Sequence, residues 1–312
     1  MSWTEAIDAA FGPERLREYV PLAPLTTFRV GGPADWLLEV RDGDELARAV
    51  TLARGHGLPV TILGGGSNVL VSDAGIRGVV VRPKGGHVGL DGGSQVRADA
   101  GVLLNSVVRW TIGRGLAGLE AWAGTPGTVG GAVFGNAHYG GHSIGDLVQC
   151  VRLLAPDGRI AEVPARDLGF AYDRSRLQET GEIALSVTFL LRPGADPADL
   201  REIARRSLAH RKRTQPLHTP SAGCIFQNPD PARDRLPEGI PPSAGALVDR
   251  AGLKGHAIGG ARVSTTHANF IVNEGGATAA DIWALMTLCR RTVRERFGVE
   301  LREEIRCVGR QG

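Results

Sequence analysis

Apolar residues recur along this chain with two spacings, and the switches between them mark out the elements. Over residues 44–54, Leu46, Ala49, Val50 and Ala53 fall on one helical face, with Gly55 as the stop. The largely apolar run Val60-Thr61-Ile62-Leu63 predicts a strand, and the runs 69–71 and 79–81 predict two more. From about Pro83 the pattern dissolves into a junction marked by Gly85, Gly86, Gly89, Gly92 and Gly93. Helical spacing returns over 103–114. A hairpin is then expected, with strands near 147–154 and 160–163 around the turn Pro156-Asp157-Gly158, followed by a β-rich run over 183–191.

The last third opens on a well-signalled helix, with Asp196 as N-cap, Pro197 in the first turn and Asp199 three residues past the cap. It is expected to run to about Arg213 and to stop before Pro216. A short helix over 243–251, a strand over 269–272 and a final amphipathic helix follow. That helix starts at the capping box Thr278-Ala279-Ala280-Asp281 and ends at Gly298. The alternation indicates an α+β or α/β protein of about three subdomains, without internal repeats. A GxGxxG string at 113–118 follows a helix where a dinucleotide fingerprint needs a strand, so it is assigned as a helix C-cap.

Composition narrows the function classes. At 312 residues, with 42% hydrophobic content, the chain can form two or three domains with dry cores. The net charge is only +3, and arginines are scattered rather than clustered. The one dense basic run, His210-Arg211-Lys212-Arg213, is short and has no interleaved aromatics. It is assigned as a helix end, and nucleic-acid binding is not expected. No apolar run approaches a membrane span and no signal-peptide pattern is present, which points to a cytoplasmic protein. Cys150, Cys224, Cys289 and Cys307 form no CxxC motif or metal-ligand pair, so they are expected as reduced thiols and no metal is expected. Cys150, Cys289 and Cys307 have the context of small core residues. Cys224 instead lies in a polar, Gly-flanked loop.

Two stretches carry a different signal. In Ala123-Gly124-Thr125-Pro126-Gly127-Thr128-Val129-Gly130-Gly131, five of the nine residues are Gly or Pro, a density that element interiors do not tolerate. A tight loop of bare backbone is expected, whose N–H groups can gather around an anion such as a diphosphate. Gly64-Gly65-Gly66-Ser67-Asn68, directly after an apolar run, has the same character. Together they suggest a large phosphate-bearing ligand held from two sides, although each alone is equally compatible with an ordinary turn.

Polar residues beside these loops supply candidates without a mechanism. Cys224, in Gly223-Cys224-Ile225-Phe226-Gln227-Asn228, can donate a proton as well as attack. Glu303-Glu304 reads as a surface pair, His267 and Asn269 as structural hydrogen-bonding residues, and Arg174 beside Asp173 as a surface ion pair worth little.

The motifs together resemble the UDP-N-acetylenolpyruvoylglucosamine reductase family, flavoenzymes of bacterial peptidoglycan precursor synthesis. Thr27-Phe28-Arg29-Val30-Gly31-Gly32-Pro33-Ala34 is similar to its N-terminal signature. Residues 63–71 and 124–132 are similar to its two FAD-diphosphate loops. Gly252-Leu253-Lys254-Gly255, Val263-Ser264 with His267-Ala268-Asn269-Phe270, and the tail 301–309 resemble its substrate domain and C-terminus. The resemblance covers nearly the whole chain. It implies an α+β fold with a two-subdomain FAD-binding module of the vanillyl-alcohol-oxidase/PCMH type and a smaller substrate-binding domain. The implied bounds are 1–83 for the first FAD-binding subdomain, completed by the tail 300–312, then 84–195 for the second and 196–299 for the substrate domain.

The same resemblance implies non-covalent FAD, NADPH as hydride donor, UDP-N-acetylglucosamine-enolpyruvate as substrate and a monomer. FAD is expected at Thr27, Gly64, Gly65, Gly66, Ser67, Asn68, Gly124, Thr125, Pro126, Gly127 and Thr128. Tyr172, Asn228, Lys254 and His267 are expected to face the substrate. Reduction at the β-carbon leaves negative charge that needs an electrostatic partner and then a proton at the α-carbon. Glu304 matches the family's catalytic glutamate, and Cys224 takes the place of its serine. The family's Tyr-Arg-x-Ser becomes Tyr172-Asp173-Arg174-Ser175, which displaces the arginine by one residue. On a strand that shift turns a side chain to the other face, so Arg174 must reach round or the backbone must be irregular. Asn136-Ala137-His138-Tyr139-Gly140 is one residue shorter than usual, and Thr214 stands where a lysine often precedes Gln-Pro. Two other readings stand beside this one: a flavin oxidase on the same fold, and a flavin or sugar-nucleotide binding protein without turnover.

Overall fold

The computed structural model describes residues 1–309, so the last three residues of the expected tail lie outside the described residues. The chain divides into two compact units, each assembled from separated segments.

The first unit takes in residues 1–19, 35–65 and 78–210. Helix α1 (Trp3–Phe11) starts at a capping box from Ser2, and α2 (Gly43–Gly55) starts where the Asp42 carboxylate accepts from the Glu45 N–H. Their apolar faces close on Leu38, Val79, Val81 and Leu185 in one hydrophobic cluster. The strands there belong to a four-stranded sheet, in which Val60–Ile62 runs parallel to Ile76–Pro83. A second, antiparallel sheet orders its strands Ile160–Pro164, Val148–Leu154, Ile183–Leu190, Gln95–Asp99 and Val88–Leu90. Ile183–Leu190 lies at its centre and is buried on both faces, Leu185, Val187 and Phe189 on one and Ser186 and Thr188 on the other. Against this sheet pack α3 (Leu104–Ile112) and α4 (Val129–Phe134), around a larger cluster that includes Val107, Val133, Val151 and Phe189. The short α5 (Leu177–Thr180) and α6 (Pro197–Thr214) complete the set, with α6 passing out of the unit after His210.

The second unit takes in residues 20–34, 66–77 and the chain from 211 onward. Its helices are α7 (Ala244–Arg250) and α8 (Ala279–Phe297). The start of α8 carries the expected Thr278–Asp281 capping box, and Asp73 adds to it by accepting from the N–H groups of Ala279 and Ala280 at 2.8 and 2.9 Å. A three-stranded antiparallel sheet holds Ala257–Ile258, Ala261–Val263 and Ile271–Asn273. Arg306–Val308 pairs parallel with Val69–Val71, so a late strand is seated on an early one. One cluster joins Phe28, Leu70, Phe226, Leu247, Leu285 and Ile305.

Two expectations need correction. The glycine-rich stretch is not loop throughout, because the helix begins at Val129. Thr128 caps it, accepting from the Gly131 N–H at 3.3 Å, while Gly130 packs where a Cβ would stand 2.9 Å from that of Ala100. Close approach, not flexibility, is what glycine provides there. Of the three cysteines expected in the core, only Cys289 is buried. Cys150 and Cys307 are half-buried, Cys150 two residues before the half-buried Arg152 on its strand and Cys307 packed against the edge of the cluster that holds Leu70 and Ile305.

Candidate active site

The first unit brings the two glycine loops together. A Cβ on Gly65 would stand 2.7 Å from Gly127 Cα, and one on Gly64 would stand 2.6 Å from Thr128 Oγ1. Gly124 and Gly127 have φ of +80° and +107°, which L side chains rarely adopt. The loop is fixed at both ends, by the Gly124 N–H donating to Asn105 Oδ1 and the Leu104 N–H donating to Gly127 O. Bare backbone packed loop against loop, with no room for a side chain, fits the diphosphate of FAD.

From the far end of α4 the same unit positions Tyr172. Asn136 Nδ2 donates to Ala171 O at 2.7 Å, while Ser175 Oγ and Gln178 Nε2 donate to Phe134 O at 2.7 and 3.0 Å. Residues 171–174 form a two-residue turn, not a strand. Ala171 and Arg174 exchange backbone hydrogen bonds, and Asp173 sits at φ +53°. The argument from strand parity therefore does not apply to Arg174. Its guanidinium pairs with Glu179 at 2.7 Å in an exposed bridge rather than with Asp173. The Asp173 carboxylate turns inward and meets His138 Nδ1 at 3.0 Å.

The second unit assembles the other candidates. The Thr27 N–H and hydroxyl both donate to Gly66 O, at 2.9 and 3.2 Å. Asn68 Nδ2 donates to Glu304 O, and the Arg306 N–H returns a bond to Asn68 O. The segment after Cys224 runs alongside the tail: the Glu304 N–H donates to Ile225 O, and the Gln227 N–H donates to Arg302 O. Cys224 and Glu304 thus stand on paired stretches of backbone. Asn269, 3% exposed, locks this arrangement by accepting from the Phe226 N–H and donating to Phe226 O. Glu303 is not the surface residue its sequence suggests, because Arg290 holds it at 3.0 Å.

His267 lies in the same unit. Its Nδ1 accepts from the Asn269 N–H at 3.2 Å, which leaves the proton on Nε2. Burial and the nearby Lys254 charge both push its pKa below the ordinary imidazole value, so the ring is neutral at neutral pH. Lys254 pairs with Asp249 at 3.2 Å, and Asn228 Oδ1 accepts from the Ala244 N–H at the start of α7. Burial pushes the thiols of Cys289 and Cys307 up to about 12, which makes both inert.

Sequence reasoning assigned no site role to four residues that shape these arrangements. Asn136 and Ser175 anchor the Tyr172 turn, and their one advance signal was a polar residue directly after Gly135 at the end of α4 and another directly after the Arg174 position. The His138–Asp173 pair joins residues too far apart along the chain to be linked in advance.

Comparison with known proteins agrees with this geometry. Residues 34–164 match the family model of an FAD binding domain. Residues 215–308 match that of the C-terminal domain of UDP-N-acetylenolpyruvoylglucosamine reductase. The chain is 44% identical over 299 residues to UDP-N-acetylenolpyruvoylglucosamine reductase 2 of Symbiobacterium thermophilum, covering 95% of this chain and 93% of that one. It is 45% identical over 291 residues to the reductase of Rubrobacter xylanophilus, covering 93% and 94%. The solved structure of the Thermus caldophilus reductase superposes with a TM-score of 0.78 at 35% identity, covering 94% of this chain and 98% of that one.

Proposed function

The chain belongs to the UDP-N-acetylenolpyruvoylglucosamine reductase family, and from that premise we infer its reaction and the residues that serve it. It reduces UDP-N-acetylglucosamine-enolpyruvate to UDP-N-acetylmuramate, with FAD as cofactor and NADPH as donor, in peptidoglycan precursor synthesis. The packing of the two glycine loops into one bare-backbone seat is the observation that carries the reading. Bound FAD supplies the two-electron chemistry that links NADPH to the enolpyruvyl double bond.

The chain's own residues divide the remaining work. Thr27, Gly64, Gly65, Gly66, Ser67, Asn68, Gly124, Thr125, Pro126, Gly127 and Thr128 hold the cofactor. Tyr172, Asn228, Lys254 and His267 bind the substrate, His267 as a neutral donor through Nε2. When the β-carbon is reduced, charge collects on the α-carbon and its carboxyl group. Arg174 offsets that charge, and its exposed bridge to Glu179 is worth about 0–1 kcal/mol, so releasing it costs little. The Cys224 thiol donates the proton to the α-carbon, and Glu304 completes the catalytic set from the paired tail. A thiol is more acidic than the serine hydroxyl it replaces and suits this donation.

For two FAD-binding subdomains, 1–83 and 84–195, the support is one hydrophobic cluster drawn mostly from residues 3–81 and another over residues 96–204. For a substrate domain 196–299 it is the cluster over residues 222–299, which also takes in Phe28, Val30, Leu70, Leu301 and Ile305, and for the tail completing the first subdomain it is the strand Arg306–Val308 on Val69–Val71. Among the described residues no helix is long and apolar enough to cross a membrane; the family resemblance is what supports a monomeric cytoplasmic enzyme. The test is anaerobic. NADPH should bleach the yellow protein and the enolpyruvyl substrate should restore its colour. Recovery by oxygen alone would indicate an oxidase, and no cycling would indicate a binding protein.

A further inference from the structure

The residue directly after Tyr172, where the family resemblance places an arginine, is Asp173, and its surroundings are unusual for an aspartate. Its side chain is only 9% exposed. One carboxylate oxygen meets His138 Nδ1 at 3.0 Å, and the other, Oδ2, is buried with no hydrogen-bond partner. Burying a carboxylate is costly unless it is paired, and here the pairing comes from one imidazole. The backbone at φ +53° would suit glycine better, so the turn carries a strained residue whose side chain has this contact to make.

His138 looks the other way as well. Its ring packs on the Tyr172 ring, with centroids 4.7 Å apart, and its side chain is 31% exposed. With Nδ1 engaged by Asp173, Nε2 is the nitrogen presented beside Tyr172. His138 reaches this position from a segment that is one residue shorter than the family pattern, just as Asp173 arrives where the arginine is displaced. Two departures that look independent in sequence therefore meet in one side-chain pair.

We propose that His138, oriented by Asp173, is a further substrate-binding and catalytic residue that donates through Nε2 to the carboxyl group of the enolpyruvyl moiety. This rests on the reductase reading and on Tyr172 facing the substrate. Asp173 is a positioning residue, acting through His138. The donor grips the carboxyl group in the ground state and more strongly once reduction at the β-carbon has sent charge onto it. No proton is consumed at His138, because the α-carbon proton comes from elsewhere.

The test uses the FAD-loaded enzyme and two separate readouts. Calorimetry on the oxidised protein without NADPH should show substrate affinity reduced about tenfold in His138→Ala. Stopped flow should show NADPH bleaching at the wild-type rate and substrate-driven recolouring slowed by roughly 10–100-fold. Added imidazole should restore part of the recolouring rate in His138→Ala, an effect a merely structural role would not give. Asp173→Asn should slow recolouring severalfold with flavin content intact. His138→Gln keeps the inference testable if the alanine variant loses its flavin, and it should reproduce the affinity loss. Wild-type affinity and recolouring in the His138 variants would overturn the assignment while leaving the reductase reading in place. A wild-type protein that is bleached by NADPH but never recoloured by the substrate would overturn the reading itself.

Discussion

The glycine loops of the first unit and the Cys224 segment of the second solve opposite problems. Around Gly65 and Gly127 the side chains are removed so that backbone N–H groups can be offered, and the two loops pack against each other at main-chain distance. Around Cys224 the backbone is instead consumed, by the tail on one side and by Asn269 within it, so that side chains are what the segment presents. The first arrangement is sensitive to size and indifferent to chemistry. The second is sensitive to chemistry and tolerant of small changes in size. Substitutions can separate the two.

The largest effect is expected at the loops. Gly65→Val or Gly127→Val should leave a folded protein that purifies without flavin, as read by absorbance against the protein band, because an added side chain collides with the opposing main chain. Full flavin content in both variants would break the comparison on its first side.

Next in size is Cys224. Cys224→Ala should keep its flavin and its bleaching by NADPH, but lose product formation by about 100-fold or more, as expected when a general acid is removed. Cys224→Ser should keep substantial turnover and gain resistance to iodoacetamide, since a hydroxyl is not alkylated where a thiolate is. Full turnover in Cys224→Ala would show that the segment does not act through this side chain.

Asn269→Ala sharpens the comparison from beneath, since it removes the lock and leaves Cys224 in place. Loss of two buried hydrogen bonds should lower stability by about 1–3 kcal/mol, measured as a fall in the urea midpoint, and should slow product formation without altering flavin content. Flavin loss in this variant would mean the two regions are not separable.

The smallest effect concerns pH. The pKa of His267 is lowered in the folded state, so between that value and the ordinary one of about 6.5 the unfolded chain holds a proton that the folded chain does not. Its contribution to stability is therefore complete above about pH 6.5 and lost as the pH falls below it. His267→Gln should flatten the melting temperature between pH 7 and 5 relative to wild type. An unchanged slope would remove His267 from this role.

The two regions also differed in how far they could be foreseen. Helix starts with side-chain caps were readable at Asp196 and Thr278, because a cap is a local bond between residues a few positions apart. The start of α4 was hidden, since glycine counts against a helix locally and the gain at Gly130 comes from Ala100, distant in sequence. The glycine loops could be identified as bare backbone, but their contact with each other could not. Around Arg174 two outcomes stood open, a side chain reaching round from a strand or an irregular backbone, and the backbone is irregular. The chain makes a turn there, pinned from Phe134 and Asn136, which are distant in sequence and so gave no local signal to choose between the two. Nothing near Asp173 in sequence identifies His138 as its partner, and ordinary polar residues give no signal at that separation.

The second unit draws on the chain at widely separated points, and synthesis proceeds from one end. Phe28, Val30 and Leu70 belong to a cluster whose other members begin at Ala222. At about 5–20 residues per second, a ribosome leaves Leu70 waiting on the order of ten seconds before Ala222 is made. Through that interval these apolar side chains are without their native neighbours, and the strand Val69–Val71 is without the late strand that pairs with it. The nascent chain therefore calls for protection from chaperones over that stretch. A fragment beginning near residue 211 would emerge with its core incomplete, and separate expression of the C-terminal part should yield aggregate unless the two early segments are supplied with it.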